Sequence, residues 1–145
     1  MTANQNSYEL CFDLEVNCYF VKHVGVFDFN ALMTRSEAIF KHPCFMPHIN
    51  SVIDFRDSTL NLSPEDVIRC VKTIWERAAS RDTAREIILV KDQFSYGVVR
   101  EYIARLDTGM LERKILSSKN GFDRIEVKQF LDIDESYNFP KFLNL

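Results

Sequence analysis

The chain has little glycine, no basic excess and no recognisable hydrolase motif. Only four of its 145 residues are glycine, and they do not cluster as in a phosphate-binding loop. The formal net charge of −3 argues against a nucleic-acid binder, because such proteins usually present a basic face. The G-x-S-x-G and H-E-x-x-H patterns are absent. We therefore expect a protein that is not an enzyme.

Long apolar runs and paired cysteines are also missing. No apolar run approaches the ~20 residues of a membrane span, and residues 1–7 lack the apolar core of a signal peptide. The four cysteines form no C-x-x-C pair, which is typical of free thiols. These absences predict a cytoplasmic protein without a cofactor.

The pattern of apolar residues indicates one α/β domain over residues 8–145, after a flexible N-terminus over residues 1–7. Helices are predicted from Asp28 to about residue 42, at 64–80, from 95 to about 110 and at 132–145. Strands are predicted at 8–16, 18–27, 52–56, 86–91 and 124–130, the first two as an antiparallel hairpin. The order β-β-α-β-α-β-α-β-α favours a single mixed sheet of about five strands flanked by helices, in which the strands at 52 and 87 run parallel.

The clearest local signal is the helix start after the third strand. Ser63 can cap free backbone N–H groups, Pro64 suits the first helical position, and Glu65 and Asp66 oppose the positive end of the helix. We expect the preceding strand to end in a polar turn that begins at Asp57.

The carboxyl ends of parallel strands are where α/β proteins bind ligands, because helix N-termini gather there. Two helix starts and two cations at this edge could hold a phosphate or a carboxylate. The alternative is that the hydroxyls cap helices and the charges are solvated. The candidate ligand-binding residues are Arg56, Ser58, Thr59, Ser63, Lys91, Ser95 and Tyr96.

Two further groups of residues carry weaker hypotheses. His42, Cys44 and His48 offer zinc-type ligands, but their spacing matches no strong zinc signature and lacks a fourth ligand, so we predict no metal site. A second group either belongs to the core or lines an apolar groove for a lipid-like ligand or a partner helix. Its members are Phe29, Met33, Phe40, Phe45 and Met46.

Four phrases resemble the STAS-like or SpoIIAA-like superfamily, in particular its small standalone members. They are His42-Pro43 followed by Val52-Ile-Asp-Phe-Arg-Asp57, then Ser63-Pro-Glu-Asp66, then Tyr96-Gly-Val-Val-Arg100, and finally Val127-Lys-Gln-Phe130 before a terminal helix. The resemblance implies a mixed sheet flanked by helices and a non-enzymatic role.

The resemblance makes a small regulatory or protein-interaction module the expected function. In the branch of anti-sigma-factor antagonists, a partner kinase phosphorylates a Ser or Thr near a helix start, so the resemblance makes Ser58 and Ser63 the candidate phosphorylation sites. The alternative function is a binding protein for a small anionic or lipid-like ligand. A protein partner, a small ligand and a homodimer stay open, whereas nucleic acid and a membrane span are not expected.

Overall fold

The computed structural model describes residues 6–106, 109, 111–117 and 124–145. The strands are β1 (Asn6–Asp13), β2 (Cys18–Phe27), β3 (Asn50–Leu60), β4 (Ala84–Val90) and β5 (Leu111–Ser117). The α-helices are α1 (Phe29–Phe40), α2 (Pro64–Ala79), α3 (Gln93–Leu106) and α4 (Arg124–Leu131). The predicted α/β class, with one mixed sheet of five strands, is confirmed.

The strands lie in the sheet in their order along the chain, β1-β2-β3-β4-β5. β1 pairs with β2 as the predicted antiparallel hairpin, and every later neighbour pair is parallel. The parallel pairing predicted for the third and fourth strands is also confirmed, since Val52 lies opposite Ile87 and Ile53 lies opposite Ile88.

Helices α1, α2 and α3 lie side by side over one face of the sheet, here called the helix face. This follows from the strand order, because right-handed crossovers that advance in one direction place their helices on the same side. Alternate strand residues point to each face. On the helix face, Ile88 and Val90 pack with Phe27, Leu60 and Val99.

The opposite face, here called the tail face, is covered by α4 and the C-terminal segment 132–145. One continuous cluster buries it. The cluster joins Cys18, Phe20, Val52, Ile87 and Leu89 of the sheet to Val127, Leu131, Ile133, Phe139 and Leu143.

Polar anchors fix the C-terminal segment on this face. The Lys128 ammonium is almost fully buried and donates hydrogen bonds to the carbonyls of Glu135, at 2.6 Å, and Tyr137, at 2.5 Å. The Tyr137 hydroxyl donates to the Asp13 carboxylate at 2.7 Å. A buried cation that is hydrogen-bonded in this way avoids most of its desolvation cost.

Two helix starts form as predicted. The Asp28 carboxylate accepts from the backbone N–H of Ala31 at 2.9 Å, at the start of α1. At the start of α2, the Ser63 hydroxyl accepts from the N–H of Asp66 at 3.1 Å, and the Asp66 carboxylate accepts from the N–H of Ser63 at 3.0 Å. This reciprocal pair is a capping box.

The last strand lies earlier in the chain than predicted. Residues 124–130, whose alternation predicts a strand, belong to helix α4 instead, and β5 occupies Leu111–Ser117. Val127 and Leu131 are buried while Ile125 is half-exposed, which is helical rather than alternating burial. The strand prediction at 124–130 is wrong because so short a segment fits both periods.

The terminal helix predicted over residues 132–145 is also wrong. This segment holds one short 3-10 turn, Lys141–Leu143, and otherwise runs as turns and extended chain. Asp132 has a φ of 55°, in the left-handed region, so it ends α4 rather than starting a helix. Pro140 lacks the N–H that a continuing helix would need.

Several boundaries differ as well. The first strand, predicted to reach residue 16, ends at Asp13 and is followed by a 3-10 turn at Leu14–Val16. β1 begins at Asn6, so residues 6 and 7 belong to the sheet, while the rest of the predicted flexible N-terminus lies outside the described residues. β3 continues to Leu60 instead of ending in a polar turn after Arg56. None of the helices in the described part of the chain has the length and apolarity of a membrane-crossing segment.

Replacing Ser63 by Ala should lower the free energy of unfolding by about 1 kcal/mol, because the N–H of Asp66 loses its acceptor. Ser63→Asn keeps a capping side chain and serves as the matched control, with stability close to the wild type. Urea melts of the three proteins measure the difference. Equal midpoints for Ser63→Ala and the wild type would show that the cap contributes nothing.

Candidate functional site

A cavity of about 200 Å³ lies between the helix face of the sheet and helices α1, α2 and α3. The packing on this face is divided into two clusters rather than one. Leu60, Ile88 and Val99 line the cavity from the first cluster. From the second, Tyr19, Val21 and Ile39 line it. The cavity therefore opens where the two halves of the helix-side core meet.

A bulge in the parallel pair β2–β3 shapes one end of the cavity. Lys22 pairs with Asp54, but Val24 pairs with Asp57, so Phe55 and Arg56 together oppose the single residue His23. Bulges of this kind re-aim side chains and are frequent beside functional sites. Here both His23 and Phe55 line the cavity, with ring centroids 4.8 Å apart.

His23 is a buried side chain with an unsatisfied nitrogen. It is 3% exposed, and its Nδ1 finds no hydrogen-bond partner among the described residues. Its ring also contacts the edge of Phe27, with centroids 5.1 Å apart. Burial, assisted by the nearby Arg35 charge, lowers the pKa of His23 to about 3. The imidazole is therefore neutral at pH 7.

Arg35, on helix α1, lies beside His23 at the same end. Its guanidinium stacks 3.7 Å above the Tyr8 ring and donates from Nη2 to the Asn6 side chain at 3.2 Å. The other terminal nitrogen, Nη1, is buried and finds no partner in the described part of the chain. Burial lowers the pKa of Arg35, but a guanidinium stays charged in proteins. One strong donor therefore stays unused.

The polar groups at the other end of the cavity are satisfied. Ser51, Glu86 and Arg113 lie opposite one another across β3, β4 and β5. Glu86 accepts from the Ser51 hydroxyl at 2.9 Å and from Arg113 Nε at 2.9 Å. The Glu86 and Arg113 side chains are 9% and 6% exposed. This is a buried ion pair with an additional hydrogen bond.

The charges around the cavity have the opposite sign to the net charge of the protein. The whole chain carries −3, whereas the lining holds four arginines and one glutamate, a formal excess of three positive charges. The arginines are Arg35, Arg77, Arg81 and Arg113.

Cysteine chemistry is unfavourable in the cavity. Cys70 lines it, but burial raises the pKa of its thiol to about 11. The thiolate, which is the nucleophilic form, is therefore scarce at neutral pH. In Tyr19 and Tyr102, burial and the Glu86 charge raise the pKa, so both hydroxyls stay protonated. The described geometry thus suits binding better than covalent chemistry.

The residues predicted at the carboxyl edge do not line this cavity. The Arg56 guanidinium points to the tail face, where Nε and Nη2 bind both oxygens of Asp54 at 2.9 and 2.8 Å and Nη2 also donates to the Leu143 carbonyl. Ser58 is buried in β3 and donates to the carbonyl of His23 at 2.7 Å. A kinase would reach its hydroxyl only if the strand opened.

Among the other predicted residues, one pair comes together. The Lys91 ammonium lies 3.4 Å from the Thr59 hydroxyl at the exposed edge. Ser63 is exposed, but its hydroxyl is engaged in the capping box. Ser95 is buried, and its N–H is capped by Asp92 at 2.8 Å. Tyr96 is half-buried on α3 and packs against the helix-side core. The hypothesis of an anion site at this edge stays a prediction.

The loop after α1 shows no metal-binding arrangement. The Nδ1 of His42 accepts from the N–H of Cys44 at 3.1 Å, and the His42 ring stacks on Phe12 at 4.3 Å. In the described ranges no three His, Cys, Asp or Glu side chains lie close enough to hold a metal ion.

The apolar residues after β2 divide between the cavity and the surface. Met33, Phe40 and Phe45 line the cavity, as one of the two sequence hypotheses expects. Phe29 instead lies under the Arg69 guanidinium at 4.0 Å, and Met46 is half-exposed.

Sequence reasoning missed most of the cavity. His23 sits in an apolar strand, and Arg35 occupies a polar position of a helix, so neither stands out locally. Glu86 and Arg113 are 27 residues apart and meet only through strand pairing. A charged residue at an inward-facing position of a strand, such as Glu86, could have indicated the buried pair, because a buried charge needs a partner.

Comparisons with protein-family models, curated proteins and solved structures find no match for this chain. The resemblance to STAS-like proteins therefore rests on the four phrases and their order along the chain. One of them, Val127-Lys-Gln-Phe130, lies in helix α4 and not in a closing strand.

Stability should fall in acid because of His23. The folded-state pKa of His23 is depressed from 6.5 to about 3, so the unfolded chain binds more protons between these values. Stability is therefore lost as the pH falls from 6.5, by up to about 1.4 kcal/mol per pH unit. His23→Phe removes this contribution, and its stability should depend less on pH. Urea melts at several pH values test this, and parallel curves would contradict it.

Breaking the buried ion pair should destabilise the fold strongly. Arg113→Met leaves the Glu86 carboxylate buried without its partner, which should cost about 3–5 kcal/mol. The double variant Glu86→Gln/Arg113→Met removes the stranded charge and keeps an acceptor for Ser51. We expect it to recover a large part of the loss in denaturant melts. A double variant no more stable than Arg113→Met would show that packing, not charge, causes the loss.

Proposed function

We propose that the chain binds a small, largely apolar molecule in the cavity between the helix face and α1–α3. The observation that carries this proposal is a largely apolar cavity lined by His23 and Arg35. Each of these two residues has a buried nitrogen without a hydrogen-bond partner in the described part of the chain, Nδ1 of His23 and Nη1 of Arg35. Ligand sites typically combine an apolar lining with a few polar groups that fix orientation. This is the alternative function predicted from the sequence. The cavity includes Met33, Phe40 and Phe45 of the predicted apolar groove, but not the residues predicted to bind an anion.

The size of the cavity limits the ligand. An engineered apolar cavity of about 150 Å³ binds benzene. A cavity of about 200 Å³ therefore has room for a ligand on the order of ten non-hydrogen atoms. A medium-chain aliphatic compound or a small bicyclic aromatic compound meets this limit, whereas a nucleotide does not.

The energetic argument also favours a ligand. A buried donor or acceptor without a partner costs about 1–3 kcal/mol. A protein optimised only for stability would fill this space with apolar side chains. The unpaired Nδ1 of His23 and Nη1 of Arg35 are therefore better explained by a group that the ligand supplies.

A cavity-filling variant tests the proposal. Ala78 lines the cavity from α2, and Ala78→Leu should fill part of it, leave stability unchanged or raised, and weaken binding of 1-octanol at least ten-fold. Ala79→Leu, the same change at the adjacent exposed residue, is the control. Calorimetric titration measures affinity. If Ala78→Leu destabilises the protein by about 1–3 kcal/mol, the site is already packed and the proposal fails.

The regulatory or protein-interaction role stays a prediction from the sequence, as do the cytoplasmic location and a homodimer. The described surface favours none of them over ligand binding. Native mass spectrometry of protein purified from its own host would bear on both functions, because it weighs bound small molecules and subunits together.

A further inference from the structure

We infer that the ligand is an amphiphilic monoanion, with a carboxylate-type head group at the His23–Arg35 end and an apolar body along the strands. This inference rests on the proposed function and adds the charge, the class and the orientation of the ligand. It is carried by the positions and partners of the charged side chains around the cavity.

The positive charge of the cavity lining favours a ligand with a negative charge. The lining carries an excess of three positive charges in a protein whose net charge is −3. A cation would be repelled by these arginines. The lining offers only Glu86, paired with Arg113, as a counter-charge. An anionic ligand would add a second one in a region where electrostatic interactions are strong, whereas a neutral ligand would not.

The partners of the arginines indicate where the head group binds. Arg113 pairs with Glu86 at 2.9 Å. Arg81 donates to the carbonyls of Pro47, at 3.0 Å, and Ile49, at 2.6 Å. These arginines are held by the protein itself.

The third and fourth arginines lie on helices α1 and α2. Arg77 donates from Nη1 to the Ser36 hydroxyl at 3.3 Å. Arg35 differs from the other three, because its Nη1 is buried and unpartnered in the described ranges. A head group with an oxygen at this nitrogen would complete its hydrogen bonding.

His23 supplies a second polar atom at the same end. Both side chains surround Phe27, with the His23 ring centroid 5.1 Å and the Arg35 guanidinium carbon 5.5 Å from the centroid of its ring. A neutral imidazole has one N–H donor and one acceptor. With its proton on Nδ1, His23 can donate to one oxygen of a carboxylate while Arg35 donates to the other.

The opposite end cannot play this role. Both carboxylate oxygens of Glu86 are engaged, one by Ser51 and one by Arg113. The row between the two ends is apolar, formed by Val21, Ile53 and Ile88 at matched register positions. The apolar part of the ligand can pack along this row, from the head group toward the Glu86 end.

Octanoate and 1-octanol form a matched pair of probes, because they share an apolar chain and differ in the charge of the head group. By hydrophobicity alone 1-octanol should bind better. We expect octanoate to bind at least about ten-fold more tightly to the wild type, because a hydrogen bond to a charged group in a buried site is strong. Calorimetric titration at pH 7 measures both affinities.

Variants locate the head group. Arg35→Met should abolish the preference for octanoate while 1-octanol still binds, and Arg35→Lys should restore part of it. His23→Phe should reduce the preference several-fold without loss of stability at pH 7. Arg100→Met, at an exposed arginine outside the cavity, is the control and should leave the preference unchanged.

The outcomes separate the two proposals. If 1-octanol binds as tightly as octanoate, or if Arg35→Met keeps the preference, the anion inference is overturned while the cavity still binds ligands. If neither probe binds to the wild type, the proposed function fails, and this inference fails with it. The wild-type comparison does not depend on the folding of any variant.

Discussion

The order of the strands constrains the whole fold. Four parallel strands follow one another across the sheet without a reversal, so each crossover helix falls on the same face. The chain after β5 must therefore cover the opposite face, and it does so with α4 and a C-terminal segment anchored by Lys128 and Tyr137. The same order removes the usual place for a ligand. A doubly wound sheet forms its crevice where the strand order reverses, and the five described strands contain no such point.

The proposed ligand site lies between the sheet and the helix layer instead, and its two ends differ in how their polar groups are hydrogen-bonded. At the Glu86 end both carboxylate oxygens of Glu86 have partners within the protein, and the row of Ser51, Glu86 and Arg113 links β3, β4 and β5. At the His23 end two buried atoms stay unpaired. The bulge in β3 lies at the His23 end. It brings Phe55 and His23 to the same wall, and it reverses the inward and outward positions of the remaining residues of β3, so that Ser58 and Leu60 point inward.

That reversal also explains why the end of β3 could not be predicted from the sequence. The class, the hairpin, the parallel central strands and the starts of α1 and α2 were predictable, because each depends on a short pattern or a cap. β3 was predicted too short, because Asp57-Ser58-Thr59 resembles a turn unless the bulge is known. β5 was missed because Arg113 occupies an inward position, which only a partner 27 residues away in sequence makes acceptable. The cavity could not be predicted either, because it is formed by residues from four strands and three helices that are distant in sequence.

The unpaired atoms of His23 and Arg35 are informative because of what a simpler side chain would do in their place. Phenylalanine would keep the stacking of His23 on Phe55 and the edge contact with Phe27 without the cost of a buried nitrogen. Methionine would cover the same apolar surface as the stem of Arg35 without burying a guanidinium nitrogen. Each replacement removes a buried polar atom without a partner, but Arg35→Met also loses the contact with Tyr8 and the hydrogen bond to Asn6. Stability therefore accounts for part of the Arg35 side chain but not for the two unpaired atoms. Local rules are most often broken where a protein uses the residue for binding or catalysis, and in this cavity the residues that break them are a cation and a neutral imidazole around one apolar channel.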